Sequence, residues 1–226
     1  MVTARRVDRL DSLCRQIQAA GGDAKAVPGD ITDSGLRHRL LDAVRDQWGA
    51  LDLLVNNAGV GAIGQFAEAE PSRLRSLMEV NFFAPLELIR ASLPLLRQGV
   101  RPMIANIGSV LGHRAVPRKS EYCASKFALH GFSDSLRAEL SPQGIDVLLV
   151  SPSTTETEFS EHLLEKLSPS PWRPSHPMSA EAVARKTVSA IERGSHEVIL
   201  TWGGKLLVWL DRLAPSLADR LVARFS

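Results

Sequence analysis

One tyrosine and one lysine, four residues apart, are the residues of this sequence best suited to acid-base chemistry. Tyr122 is the only tyrosine in the 226 residues, and Lys126 follows it at i+4. Residues at this spacing share one helical face, so the phenol and the ammonium are predicted to be neighbours. A phenol has a pKa of about 10, and an adjacent ammonium is expected to lower it by stabilising the phenolate. The pair predicts a general acid or base.

A serine and an asparagine extend this candidate set. Ser109 lies thirteen residues before Tyr122 and follows a predicted strand. The carboxyl ends of parallel strands are where ligands bind in such sheets. Asn81 falls within a predicted helix, where the alternative to a catalytic role is a local hydrogen bond. For Tyr122 and Lys126, the alternative is that both are solvated surface residues. His113, just beyond Ser109, is expected to be a partly exposed loop residue.

A second motif, Asn56-Asn57-Ala58-Gly59, directly follows the predicted strand 51–55. Small residues and a glycine allow the backbone to approach a flat ligand closely. Asparagine side chains at this position can tie neighbouring strand ends together. Asn and Gly also favour ordinary turns, so the motif alone does not distinguish a binding site from a turn.

Alternating strands and helices are predicted to position these residues. Short apolar runs alternate with stretches in which apolar residues recur at helical spacing. Because the runs are apolar on both faces, they predict a parallel sheet covered by helices on each side. The fold class is therefore a doubly wound, Rossmann-like α/β domain. The predicted strands are 1–4, 24–28, 51–55, 102–107, 146–150 and 197–200, and the long predicted helices are 71–96 and 121–140.

In their order and spacing, these motifs resemble the short-chain dehydrogenase/reductase family. The resemblance extends from residue 2 to about residue 200. It implies hydride transfer between a nicotinamide cofactor and an alcohol or carbonyl substrate, with the protein supplying orientation and electrostatics. The residues that carry the resemblance are Asn56, Asn57, Ala58, Gly59, Asn81, Ser109, Tyr122 and Lys126.

The resemblance implies a catalytic role for four of these residues. Tyr122 would exchange a proton with the substrate oxygen, and Ser109 would hydrogen-bond that oxygen. Lys126 would lower the pKa of Tyr122 and hold the nicotinamide ribose. Asn81 would position a water molecule in a proton relay.

The resemblance also indicates which cofactor is preferred. Family members that use NAD usually end the second strand with an acidic residue, whereas here Ala4, Arg5 and Arg6 stand at this position. A guanidinium can bind a 2′-phosphate, so NADP(H) is favoured over NAD(H). The alternative is that these arginines merely solvate the start of a helix. Asp30 and Ile31 resemble the pair that contacts adenine.

Other cofactor contacts are implied around the strand ends. The family usually has Pro-Gly where Pro152-Ser153 stands, and serine has less backbone freedom than glycine. The loop is therefore expected to be placed differently. The full set of implied contacts, besides Arg5, Arg6, Asp30 and Ile31, is Asn57, Ala58, Gly59, Tyr122, Lys126, Pro152, Thr155 and Thr157.

The N-terminus departs from the family pattern. The family opens with a central strand and a Thr-Gly-x-x-x-Gly-x-Gly turn, whereas Met1-Val2-Thr3-Ala4 already resembles the second strand. That turn supplies backbone N–H groups to the diphosphate. Losing about ten ladder bonds at ~0.5–1.5 kcal/mol each would match the stability of a typical domain. We expect a truncated chain that binds cofactor poorly as printed.

The remaining sequence divides into a domain at 1–202, with a substrate lid at 153–178, and an extension at 203–226. Phe159, Leu163, Leu164 and Trp172 would line an apolar pocket for a hydrophobic substrate, or would pack the lid onto the core. The extension is amphipathic and interrupted by Pro215. It would pack on the domain, contribute to an oligomer contact or lie on a membrane surface; the first two are favoured.

Composition narrows the functional classes. The net charge of +2 and the absence of a long basic run argue against nucleic-acid binding. Cys14 and Cys123 do not form a disulfide pattern, which favours a reducing cytoplasm. No signal peptide, membrane span or metal-ligand pattern is predicted. The resemblance implies a homo-oligomer.

These observations favour an NAD(P)-dependent oxidoreductase that acts on a small alcohol or carbonyl compound. The main alternative is a non-catalytic binding or scaffold protein that keeps the fold without the phosphate-binding turn. A third hypothesis is an epimerase or dehydratase on the same fold, which would bind cofactor without net turnover.

Overall fold

Helices and strands alternate along the chain as the hydrophobic pattern predicts. The computed structural model describes residues 1–160, 163–167 and 177–224. Its helices are α1 (Val7–Ala19), α2 (Ser34–Trp48), α3 (Pro71–Met78), α4 (Ala84–Leu96), α5 (Ser120–Leu140), α6 (Ala180–Glu192), α7 (Trp202–Leu213) and α8 (Pro215–Ala223). Its strands are β1 (Leu53–Asn56), β2 (Ala62–Ile63), β3 (Met103–Ile107), β4 (Asp146–Ser151), β5 (Thr155–Glu156), β6 (Glu165–Lys166), β7 (Met178–Ser179) and β8 (Glu197–Ile199).

The central sheet is parallel throughout, in the order β1-β3-β4-β8. Its register aligns Leu54 with Ile104 and Ile104 with Val147, and all three side chains are buried together beneath α2, α4 and α5. The alternate residues, such as Ala105 and Leu148, pack on the opposite face beside α6. Helices therefore cover both faces, which confirms the doubly wound α/β fold.

The N-terminal strands are less regular than the sequence predicts. The predicted strands 1–4 and 24–28 form a single parallel bridge, Val2 with Ala26, rather than a ladder. In the described part of the chain, neither segment is paired with the central sheet. A short isolated pair has few hydrogen bonds and one side without a neighbour, so it does not extend into regular strands.

The helix predicted at 71–96 consists of two α-helices, α3 and α4, that are joined without a loop by one wider helical turn. Pro71 begins α3 at the position where a missing N–H costs nothing. A π-helical turn, Glu79–Phe83, then connects α3 to α4 and contains Asn81. Such turns occur frequently at functional sites because they redirect side chains from the helical repeat.

The C-terminal extension forms two helices that meet at Ala214, directly before Pro215. Proline lacks the N–H that a continuous helix would require, which explains the break that the sequence predicts. The extension packs on the domain through the buried side chains of Val208, Ala218 and Val222. Five of its large apolar side chains are exposed: Leu206, Trp209, Leu213, Leu217 and Leu221. No helix in the described ranges is long and apolar enough to cross a membrane.

Candidate active site

Tyr122 and Lys126 lie one turn apart at the start of α5, as their spacing predicts. The Lys126 Nζ atom lies 6.0 Å from the centroid of the Tyr122 ring. It donates a hydrogen bond of 2.9 Å to the carbonyl oxygen of Ile107, the last residue of β3. The ammonium is thereby fixed between the tyrosine and the carboxyl end of the central sheet.

The pKa values of this pair shift in a direction that the sequence did not predict. Burial raises the pKa of Tyr122 to about 12, although hydrogen bonding to the Ser109 side chain opposes the shift. Burial also lowers the pKa of Lys126 to about 8. The expected net lowering of the Tyr122 pKa is therefore wrong for this structure, because desolvation of the phenolate dominates. At neutral pH Tyr122 is a neutral phenol that can donate a proton.

Ser109 is placed beside Tyr122 by the turn that follows β3. Its backbone is extended, and its Oγ atom accepts a hydrogen bond of 3.1 Å from the Leu111 N–H. This bond caps the 3₁₀ turn Val110–Gly112 and holds the hydroxyl near the phenol of Tyr122. The structure thus brings Ser109 and Tyr122 together in one site.

Asn81 is buried and bound through all of its polar atoms. Its Oδ1 atom accepts a 2.9 Å hydrogen bond from the Val60 N–H, while Nδ2 donates to the Val60 carbonyl at 2.9 Å. Nδ2 also donates to the Ser125 Oγ atom at 2.9 Å. The amide therefore connects the loop after β1 to α5, the helix of Tyr122. The role of Asn81 in a water relay stays a prediction.

The predicted asparagine link between strand ends is confirmed. Asn56 Nδ2 donates a 2.9 Å hydrogen bond to Asn106 Oδ1, and Asn106 Nδ2 donates to Ser133 Oγ at 3.0 Å. These bonds join β1, β3 and α5 below the candidate site. A Cβ atom at Gly59 would lie 3.3 Å from Asn81 Oδ1 and 3.7 Å from the Lys126 ammonium. Glycine therefore keeps the backbone close to both side chains.

The predicted 2′-phosphate site contains an ion pair that the sequence did not indicate. Arg6 Nη1 lies 2.5 Å from Glu158 Oε2, and Arg9 Nη2 lies 2.8 Å from Glu158 Oε1. Arg5 is exposed and close enough to Asp30 to lower the pKa of that carboxyl. Arg6 is thus bound to a carboxylate, Glu158, whereas Arg5 is exposed, although the two residues are adjacent in sequence.

Asp30 and Ile31 are held in a tight turn. Asp30 Oδ1 accepts hydrogen bonds from the backbone N–H of Thr32 at 3.0 Å and from its hydroxyl at 2.8 Å. These bonds lower the pKa of Asp30. The Ile31 carbonyl accepts a 2.7 Å bond from Arg37. The contacts fix the position of both residues, and their adenine role stays a prediction.

The loop after β4 holds the other implied cofactor contacts. The Pro152 carbonyl accepts a 2.9 Å hydrogen bond from the Val110 N–H, which ties this loop to the Ser109 turn. The Thr155 hydroxyl donates to the Ser153 carbonyl at 3.2 Å, and the Thr157 hydroxyl accepts from the Phe159 N–H at 3.3 Å. Among the non-glycine residues that are described, positive φ angles occur only at Arg101 and Arg118. The Ser153 backbone therefore does not require glycine.

The described part of the predicted lid contacts the site directly. The ring of Phe159 packs edge-on against Tyr122, with centroids 6.1 Å apart. A Cβ atom at Gly61 would lie 2.9 Å from both Phe159 and Leu163, so glycine permits this close packing. Leu164 N–H donates to the Gly61 carbonyl at 2.9 Å, and its side chain is exposed. Trp172 and residues 168–176 lie outside the described residues.

A buried ion cluster beside the lid was missed by the sequence analysis. Arg73 Nε donates to Glu121 Oε2 at 2.5 Å, and Arg73 Nη1 lies 2.7 Å from Glu165 Oε2. Only 4% of the Arg73 side chain is exposed. The cluster joins α3, the first turn of α5 and the lid strand β6. No local pattern could have revealed it, since the partners are far apart in sequence.

His113 is buried, so its expected exposure is wrong. Its Nε2 atom lies 2.9 Å from the Ser151 hydroxyl, and only 2% of its side chain is exposed. Nδ1 has no hydrogen-bond partner among the described atoms. Burial, aided by the interactions with His130 and Arg212, lowers the pKa of His113 to about 4. His113 is therefore a neutral core residue at pH 7.

Comparison with known sequences identifies the family. Residues 1–168 match the family described as short chain dehydrogenase, which is well over half of the 226 residues. The ketoacyl reductase HetN of Nostoc sp. (strain PCC 7120) is 29% identical, in an alignment that covers 98% of this chain and 78% of that protein. The match thus includes the candidate site and the C-terminal extension.

Solved structures agree with this assignment. A short-chain dehydrogenase of Burkholderia cenocepacia in complex with NADP has a TM-score of 0.79 and 26% identity, covering 97% of this chain and 84% of the other. A short chain dehydrogenase/reductase of Burkholderia phymatum in complex with NAD has a TM-score of 0.84. Its sequence is 23% identical, and the alignment covers 95% of this chain and 84% of the Burkholderia phymatum chain. At this identity, the similarity supports only the assignment of the fold. The chain belongs to the short-chain dehydrogenase family of oxidoreductases.

Proposed function

We propose that this protein is an NADP(H)-dependent reductase of hydrophobic carbonyl compounds. The observation that carries the proposal is a neutral Tyr122 phenol beside the Ser109 side chain and backed by the buried Lys126 ammonium. A phenol with a pKa of about 12 holds its proton at neutral pH, which suits a general acid better than a general base. Carbonyl reduction needs such an acid at the substrate oxygen.

The residues around Lys126 fit a nicotinamide cofactor. An ammonium has three N–H donors, and the Ile107 carbonyl is the one acceptor bound to it in the described part of the chain. The remaining donors are available to ribose hydroxyls. Asn57, Ala58 and Gly59, with Pro152, Thr155 and Thr157, would hold the cofactor from the adjacent loops. When bound, the cofactor supplies the hydride.

The protein residues act on the carbonyl oxygen. Ser109 and Tyr122 would both donate hydrogen bonds to this oxygen, which polarises the carbonyl and stabilises the developing negative charge. As hydride reaches the carbonyl carbon, Tyr122 would transfer its proton to the oxygen and yield the alcohol. Lys126 would stabilise the resulting phenolate. A proton from solvent would then return to Tyr122 through a water molecule, which Asn81 would hold at its backbone because its side chain is already fully bound.

The NADP(H) preference rests on the charges at the N-terminal segment. Ala4 offers no carboxylate to repel a 2′-phosphate, and Arg5 is exposed. Arg6 is paired with Glu158, so a phosphate would compete with that carboxylate. The preference is therefore proposed to depend mainly on Arg5.

The hydrophobic substrate class rests on the lid. Phe159 and Leu163 cover Gly61 beside Tyr122, so a substrate carbonyl at Ser109 would meet apolar surface. The similar Nostoc protein is called a ketoacyl reductase, and a ketoacyl chain matches this surface.

We also propose that the protein is a homo-oligomer located in the cytoplasm. The free cysteines Cys14 and Cys123 support the cytoplasmic location.

Cofactor oxidation with a matched variant tests the proposal. Purified protein would be mixed with NADPH or NADH and a panel of ketoacyl esters and short polar ketones, and the loss of reduced cofactor would be followed. We expect NADPH oxidation with the apolar esters, and a loss of about 100- to 10,000-fold in kcat for Tyr122→Phe with unchanged cofactor affinity.

Other outcomes distinguish the alternatives. Absence of NADPH and NADH binding, measured by cofactor fluorescence, would support a scaffold protein. Cofactor binding without net oxidation of NADPH would instead favour an epimerase or dehydratase. Equal activity of Tyr122→Phe and the parent would contradict the proposed acid.

A further inference from the structure

The two C-terminal helices carry six large apolar side chains on the outside of the molecule. Four of them lie on α7 at intervals of four, three and four, within about 60° of one another around the helix. Two more lie four residues apart on α8. Their exposed fractions range from 38% to 85%. This apolar row consists of Trp202, Leu206, Trp209, Leu213, Leu217 and Leu221.

The apolar row is separate from the face with which these helices pack on the domain. That inner face consists of Gly204 and Val208 on α7 and Ala218 and Val222 on α8, all of which are buried. Since the helices already have a buried face, the apolar row is not needed for folding. Exposed apolar side chains gathered on one helix face in this way mark an interaction site.

The charged residues of the helices are distributed unevenly around the apolar row. The acidic side chains of Asp211 and Asp219 bind Arg114 of the domain, at 2.7 Å and 2.6 Å. Asp211 is nine residues from Trp202, which places it on the opposite side of α7. The carboxylates are therefore directed toward the domain and are neutralised there.

The remaining charges of the helices are all basic. Arg212, Arg220 and Arg224 are exposed, and none of them forms an ion pair within the part of the chain that is described. The Lys205 ammonium lies 5.1 Å from the centroid of the Trp202 ring. By helical spacing, Lys205 and Arg212 lie on one side of the apolar residues of α7, and Arg220 and Arg224 lie on one side of those of α8.

We propose that the apolar row docks the protein onto the surface of an anionic phospholipid membrane. Tryptophan and leucine on one face with arginine and lysine beside them are suited to the boundary between acyl chains and headgroups. The flanking cations complement anionic headgroups. A second copy of the chain is the other possible occupant, and the test below distinguishes it from a membrane. The helices would lie in the plane of the membrane.

Vesicle flotation of the full chain tests this proposal. The probes are vesicles of phosphatidylcholine alone and vesicles in which about a third of the lipid is phosphatidylglycerol. We expect the protein to float with the anionic vesicles, and Leu206→Ser/Leu213→Ser to reduce the bound fraction by about tenfold. Arg220→Glu/Arg224→Glu should give a similar loss. Brominated lipid should quench the fluorescence of the parent but not that of Trp202→Phe/Trp209→Phe.

Matched variants away from the helices provide the controls. Phe66→Ser/Val100→Ser removes two side chains that are 70% and 76% exposed, and Arg15→Glu/Arg75→Glu makes the same charge change elsewhere. Both should float as the parent does. The proposal is overturned if these controls lose as much binding as the helix variants, or if anionic vesicles bind none of the parent. It is also overturned if Leu206→Ser/Leu213→Ser converts a dimer to a monomer without changing flotation.

Discussion

The side-chain amide of Asn81 donates a hydrogen bond to the hydroxyl of Ser125 across 2.9 Å. Ser125 in turn donates to the carbonyl of Tyr122 at 2.7 Å. Because Asn81 also binds both polar backbone groups of Val60, one buried amide fixes the first turn of α5 relative to the loop after β1. Asn81 is thus a positioning residue for the tyrosine, in addition to any part in proton relay.

Replacing Asn81 by alanine should therefore reduce both stability and activity. The change leaves the buried N–H and carbonyl of Val60 without partners, and each such group costs about 1–3 kcal/mol. We expect the free energy of unfolding to fall by about 2–4 kcal/mol in denaturant titrations. Ser125→Ala removes fewer hydrogen bonds and should cost about 1 kcal/mol. Equal stability of Asn81→Ala and the parent would show that this network contributes little.

The activity should decline above the pKa of Lys126. Since burial lowers this pKa to about 8, the ammonium is charged below that pH and loses its proton as the pH rises through it. Tyr122 keeps its proton over the same range, because its pKa is about 12. We expect kcat/KM for NADPH to fall above pH 8. Lys126→Arg, whose guanidinium stays charged, should remove this decline even if its overall rate is lower; a decline that persists in this variant contradicts the assignment.

Stability should decrease in mild acid because of His113. Its pKa is about 4 in the folded protein and 6.5 in the unfolded chain, so the unfolded state binds more protons between these values. The contribution of the neutral ring is complete above pH 6.5 and is lost as the pH falls toward 4. We expect a loss of about 2 kcal/mol over this range in urea titrations. His113→Gln should flatten the pH dependence, whereas His196→Gln, at an exposed position, should not.

The ion cluster of Arg73 should stabilise both the core and the lid. Arg73→Met leaves the Glu121 carboxylate, which is 7% exposed, without its partner. Breaking a buried pair in this way costs about 3–5 kcal/mol. Glu165→Gln affects the more exposed carboxylate and should mainly raise KM for the substrate, since β6 belongs to the lid. Arg75→Met on the exposed face of the same helix is the control, and a similar loss there would refute the role of the cluster.

The local features of this protein could be predicted from sequence, whereas its long-range contacts could not. Apolar runs identified the strand that contains Asn56 and the strand that precedes Ser109. The i, i+4 spacing placed Tyr122 one helical turn from Lys126. These features depend on neighbouring residues. Arg73 and Glu165 are 92 residues apart, and Arg6 and Glu158 are 152 apart. The direction of the Tyr122 pKa shift likewise depends on burial by tertiary packing, so the charge of Lys126 alone gave the wrong sign.

Cofactor selectivity should depend on Arg5 and on the competition between Glu158 and a phosphate for Arg6. Arg5→Ala should raise KM for NADPH by about tenfold, since a charge-assisted hydrogen bond contributes about 1.5–3 kcal/mol, and should leave KM for NADH unchanged. Glu158→Gln removes the carboxylate that binds Arg6 and should lower KM for NADPH by a few fold. Arg9 also binds Glu158 but lies within α1, so Arg9→Ala serves as the control. If Arg5→Ala raises KM equally for both cofactors, the 2′-phosphate is not bound by this segment, and the NADP(H) preference must be abandoned.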